Sequence, residues 1–198
     1  MMIPAHTLQA KDLITTGIFS ALFFIVTMVS GAFFAANPVL TFLTPVVIAF
    51  FTGPVYMLLL AKVPKRGPTV ILGVLMGFLM FVTGMFWLWS VAYIVLGFIA
   101  GEISALGRFK SVKLNIVGFS IFSLNPLASY MMIWLDQQSF TEYLLSKGTQ
   151  QAYLDSMLQA AQDWLLPAML AGTVGAALLG AALGSKLLKK HFARAGVV

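Results

Sequence analysis

Lys62-Val63-Pro64-Lys65-Arg66-Gly67-Pro68 interrupts two of the longest apolar runs in this 198-residue chain. Two prolines and a glycine make it a turn, and three cations make it hydrophilic. Before it, Leu13 to Ala61 carries no charge, and after it, Thr69 to Leu106 carries only Glu102. A bilayer-crossing helix needs ~20 apolar residues. Each run therefore holds two such helices, a hairpin that leaves one side of a membrane and returns to it. Loops that retain Lys and Arg lie on the cytoplasmic side, which places this turn inside the cell.

The remaining charges follow the same rule. Lys11 precedes the first run; Arg108, Lys110 and Lys113 form a second basic loop; Lys186, Lys189, Lys190 and Arg194 form a basic tail. Four of the six acids, Asp136, Glu142, Asp155 and Asp163, share one polar stretch with a single cation, Lys147. Asn37-Pro38 divides the first apolar run, and Thr83-Gly84 divides the second. The chain thus reads as an all-α integral membrane protein, one membrane domain over residues 1–198. Its six transmembrane helices are expected at about 13–35, 39–61, 69–83, 87–106, 114–134 and 164–185, with both termini cytoplasmic and an outer loop at 135–163. Within that loop, Phe140–Ser146 and Gln151–Ala161 suit short amphipathic helices, and Thr52-Gly53-Pro54 suits a kink in the second span. The run from Leu13 exceeds a signal-peptide core and lacks a clear cleavage site, so it is expected to remain as the first span.

Composition agrees: 60% of residues are hydrophobic and 9% are charged, against about 25% charged in soluble domains. The net charge of +6 sits in loops beside spans, where it meets anionic headgroups, and is not read as a nucleic-acid footprint. Cysteine is absent, which excludes disulfides, thiolate metal sites and Cys nucleophiles. The two histidines, His6 and His191, fall in the N-terminal segment and the basic tail. No HExxH, GxSxG or Walker-type motif occurs, and no carboxylate pair lies within the spans. Glu102 is expected to pair with Arg108 or a neighbouring lysine. Neither an enzyme nor a metal site is expected.

What remains is a concentration of aromatic and polar residues toward the outer side. Phe34 and Asn37 close the first hairpin, Trp87, Trp89 and Tyr93 begin the fourth span, and Asn125, Tyr130 and Met131 finish the fifth. Tyr153 stands in the outer loop. An interfacial aromatic belt accounts for part of this set. A mostly apolar pocket with a few placed polar groups, covered by the loop, accounts for the rest. Small residues also recur every four positions on the last span (Ala168, Gly172, Ala176, Gly180, Gly184) and at Gly17 and Ala21 on the first. Such grooves serve either packing within the bundle or docking of a partner helix.

Lys11-Asp12-Leu13-Ile14 leading into Gly17-Ile18-Phe19-Ser20-Ala21-Leu22, then Gly53-Pro54-Val55-Tyr56-Met57-Leu58-Leu59-Leu60 with Lys62-Val63-Pro64-Lys65, resembles the Trep_Strep (MptD-type) family over most of the chain. The resemblance implies a substrate-binding S component of an energy-coupling factor (ECF) transporter, an ABC-type importer of the bacterial plasma membrane. Such a subunit has no ATPase activity of its own. It works with a membrane coupling subunit and two ATP-binding subunits, and it captures a micronutrient at the outer face. Many S components dock through AxxxA on the first helix; here Gly17 and Ala21 hold those places. The resemblance also suggests haem as transported substrate, with no intrinsic cofactor. No outer histidine offers itself to the iron, which leaves Tyr130, Tyr153 or Met131, and Lys147 as the only outer cation for the propionates. A vitamin or another small hydrophobic compound is the alternative cargo. A non-transport assembly protein, whose outer loop binds another protein, is the alternative from a different class.

Overall fold

A computed structural model describes residues 8–188; His6, His191 and the basic tail from Lys189 onward lie outside them. Helix α1 (Ala10–Ala35) leads through a 3-10 turn at Leu40–Leu43 into α2 (Thr44–Lys62). After the basic turn come α3 (Pro68–Val82) and α4 (Trp87–Leu106). The fifth stretch is divided into α5 (Val112–Phe122), α6 (Leu127–Tyr130) and α7 (Met132–Leu135). Pro126 explains part of this division, because it offers no amide to a continuing helix. Two amphipathic helices follow, α8 (Gln137–Ser146) and α9 (Gln151–Ala160), before α10 (Leu165–Leu187).

Five helical stretches are long and apolar enough to cross a membrane: Ala10–Ala35, Leu40–Lys62, Trp87–Leu106, Val112–Leu135 and Leu165–Leu187. The remaining apolar helix, α3, has 15 residues. At 1.5 Å per residue it is about 22 Å long, shorter than the ~30 Å hydrocarbon core. Ile14, Ile18, Ile25 and Val29 on α1, Phe78 and Phe81 on α3, and Phe98 on α4 all face outward and are exposed. A soluble surface rarely shows so continuous an apolar girdle. The protein is a multi-pass membrane protein.

The core forms where α2 meets α10 and where α4 meets α3 and α5. Pro54 lies inside α2 without breaking it, but lacks the amide that would bond the Phe50 carbonyl. That carbonyl abuts Gly180 of α10 so closely that any Cβ there would collide with Phe50 O. A Cβ on Gly53 would lie 2.6 Å from the Ala181 nitrogen, and one on Gly184 2.6 Å from Pro54 Cα. From Gly172 to Gly184 the stripe of small residues on α10 is therefore packed against α2, while Ala168 is exposed. Gly17 differs: a Cβ there would meet nothing within 4 Å, and Ala21 beside it is exposed.

At the end carrying the basic turns, Lys65 Nζ pairs with Asp12 Oδ2 at 2.7 Å. Glu102 pairs with Arg66 at 3.3 Å. The expectation of Arg108 is corrected: Arg108 and Phe109 turn the chain with left-handed backbones (φ 51° and 60°), and the turn Phe109 side chain is buried.

Candidate functional site

At the opposite end of the bundle, a cavity of about 530 Å³ lies beneath α8 and α9. Its side walls come from α1, α2 and α6, and the α3–α4 turn supplies Gly84, Met85 and Phe86. Phe140 and Leu144 of α8 and Tyr153 and Met157 of α9 contribute from the cover. These helices form because their apolar residues recur at helical spacing in an otherwise polar stretch: Phe140 is buried on α8, Leu154 and Met157 on α9. Two tyrosines tie the cover to the bundle. Tyr143 donates its hydroxyl to Met85 O at 3.0 Å, and Tyr153 donates to Ala35 O at 2.7 Å. Burial raises the Tyr153 pKa above the ordinary tyrosine value, so this hydroxyl stays protonated as a donor.

Trp89 forms part of the wall and rests on Tyr93, with ring centroids 6.4 Å apart and planes 9° from parallel. Below it, Tyr93 and Phe23 both pack edge-on against Phe122, at 5.5 and 5.7 Å. The Trp89 indole donates to Asn125 Oδ1 at 2.6 Å, and the Asn125 amide donates to Phe122 O at 2.6 Å. On another wall, the Tyr130 hydroxyl lies 2.8 Å from Thr41 Oγ1 and donates to Thr41 O at 2.9 Å. Thr44 also lines the cavity. It is only 3% exposed, and its Oγ1 has no hydrogen-bond partner.

Of the nine residues expected from sequence, Trp89, Tyr130 and Tyr153 line the cavity. The other six do not. Asn37 instead caps the 3-10 turn, its side chain accepting from the Val39 and Leu40 amides at 2.9 and 3.0 Å. Asn125 and Tyr93 are buried behind Trp89 and support it. Trp87 is 48% exposed and Met131 36%; the half-buried Phe34 also lies off the lining. Positions two apart on a helix point about 200° apart, so Trp87 and Trp89 cannot share a wall. The wall residues that sequence reasoning missed include Thr27, Met28, Gly31, Thr44 and Met157. One signal was present: Thr27 and Gly31 are small or polar at i, i+4 in an apolar span.

No charged residue lines the cavity among the described residues. Lys147 stands outside it, with Nζ 5.4 Å from the Tyr143 ring centroid. Nor does any group of three or more His, Cys, Asp or Glu gather to hold a metal among the described residues. Among the described residues, Met28, Met85 and Met157 contribute sulfurs to the wall. The arrangement can enclose a small, largely apolar molecule.

A family model described as a hypothetical bacterial integral membrane protein (Trep_Strep) matches residues 10–194. No curated protein and no solved structure matches the chain.

Proposed function

Because the chain belongs to the Trep_Strep family of bacterial integral membrane proteins, we propose that it is the substrate-capturing S component of an ECF-type importer in the bacterial plasma membrane. The carrying observation is the covered cavity of about 530 Å³, within the 300–1,000 Å³ range of small-molecule sites. In this reading the basic turns are cytoplasmic, both termini are inside, and α3 is a short sixth span. The cavity then faces outward, and α8–α9 form its cover. Gly17 and Ala21 lie near the cytoplasmic end of α1 on a face the bundle leaves open, which supports their use against a coupling subunit. ATP hydrolysis belongs to two partner ATPases, so this chain needs no catalytic residues.

Haem is the second reading for the cargo: the thioethers of Met28, Met85 and Met157 line the cavity and thioethers can ligate haem iron, but no described lining residue carries a positive charge to meet the haem propionates. The Tyr130 and Tyr153 hydroxyls are both engaged in hydrogen bonds to backbone carbonyls, so neither is free for iron without rearrangement.

Affinity purification of the tagged chain from its native membrane tests the proposal. An ATP-binding pair and a large coupling protein are expected to co-purify, with a small molecule detectable by mass spectrometry. Isolation of the chain alone, or with a soluble protein bound at α8–α9, overturns it in favour of an assembly role. Titration with haemin decides the cargo: a Soret shift in stoichiometric amount supports haem, and an unshifted spectrum eliminates it.

A further inference from the structure

We propose that the cavity selects an uncharged molecule, apolar over most of its surface and carrying a hydrogen-bonding group for the wall of Thr41, Ser129 and Tyr130. This rests on the reading of the cavity as the capture site. A carboxylate, phosphate or ammonium group brought into an apolar enclosure loses its hydration and requires an opposite charge in return. The described lining offers none. Asp12 and Lys65 are paired with each other at the other end of the bundle, as are Glu102 and Arg66. Lys147, the nearest cation by position, lies outside the wall.

A wholly apolar cargo fits no better. Ser129 lines one side of the space together with Thr41 and Tyr130, whose hydroxyls lie 2.8 Å apart. A cargo with only apolar surface against these hydroxyls displaces their water without replacing its hydrogen bonds, and a cargo that bonds them avoids that loss. Met28, Ile48, Phe86, Trp89 and Phe140 present apolar surface around the rest of the space. The site therefore has one hydrogen-bonding wall in an otherwise apolar pocket, which suits a neutral ring system or chain bearing a carbonyl, hydroxyl or amide.

The cysteine-free sequence allows a direct test. Thr44→Cys and, as a second position, Ser129→Cys are made in the full chain. Each is labelled with benzyl methanethiosulfonate (neutral), 2-sulfonatoethyl methanethiosulfonate (anionic) and 2-(trimethylammonium)ethyl methanethiosulfonate (cationic). Rates are normalised to Val39→Cys, which is 55% exposed at the same end of the bundle. The neutral reagent is expected to react at both cavity positions, and each charged reagent at least about tenfold more slowly, as the cost of desolvating a charge requires. Equal normalised rates for either charged reagent overturn the substrate class but leave the capture site standing. No reaction by any reagent at either position shows a sealed space and overturns both.

Discussion

The indole Nε1 of Trp89 lies 2.6 Å from Asn125 Oδ1, a hydrogen bond that joins α4 to the turn between α5 and α6. The Asn125 amide is itself spent on Phe122 O. Asn125 therefore sets the tilt of the ring that walls the cavity without entering it. Replacing it with Leu leaves a buried indole N–H unpaired, at a cost of about 1–3 kcal/mol. The Asn125→Leu protein is expected to melt several degrees lower in detergent, with its tryptophan emission shifted. An unchanged melting temperature and spectrum would remove Asn125 from this role.

Besides the apolar burial of Phe140, Leu154 and Met157, two tyrosine hydroxyls tie the cover to the bundle. Tyr153→Phe removes the bond to Ala35 O, and Tyr143→Phe the bond to Met85 O. Each loss is worth about 1 kcal/mol, or roughly fivefold in an opening equilibrium. Hydrogen exchange read by mass spectrometry is expected to quicken by that factor in α8 and α9 while α2 and α10 stay unchanged. Acceleration spread evenly over the whole chain would mean the tyrosines stabilise the bundle and not the cover.

Two glycines should behave oppositely. Gly180→Ala places a methyl against Phe50 O, in a contact of two backbones that cannot yield as a side chain would; overpacking of this kind costs about 1–3 kcal/mol. Gly17→Leu enters open space and is expected to leave the melting temperature and small-molecule retention intact, while co-purification of the ATPases is lost, more completely with Ala21→Leu. Retained ATPases in the double variant would show that this face does not dock.

The N-cap of α8 supplies a pH dependence. The Ser139 hydroxyl and then its amide hold the Asp136 carboxyl below the usual 3.8, with the amide 3.1 Å from Oδ1. A carboxylate with a depressed folded pKa contributes fully above its ordinary value, and the contribution disappears as pH falls through the folded one. First-turn amides of α8 are therefore expected to lose protection, after correction for intrinsic exchange rates, only as pH drops below 3.8. Asp136→Ala should show that loss already at neutral pH.

Much of the fold was legible because hydropathy and turn chemistry act over short range. The Lys62–Pro68 turn, the Asn37-Pro38 corner and the two amphipathic helices at Gln137–Ser146 and Gln151–Ala160 follow from neighbouring residues alone. The fifth stretch was harder. Its composition reads as one span, yet the chain turns at Ser123–Pro126 and presents Ser129 and Tyr130 to the cavity. In the site, aromatic enrichment found Trp89, Tyr130 and Tyr153, but it also collected Trp87 and Met131 from the exposed surface. Enrichment marks a depth in the membrane, not a direction around a helix.

By itself, then, the sequence determined a helical chain that crosses a membrane repeatedly, with its positive charge gathered at turns, because water and hydrocarbon partition each segment independently of the others. Only the tertiary structure decided which side chains share a wall. That outcome depends on contacts distant in sequence: Phe50 O against Gly180 brings α2 onto α10, Trp89 against Asn125 joins α4 to the α5–α6 turn, and Tyr153 against Ala35 O ties α9 to α1. Those approaches bring α1, α2 and α6 around one space lined by no charge among the described residues, and no local pattern in the chain encodes that arrangement.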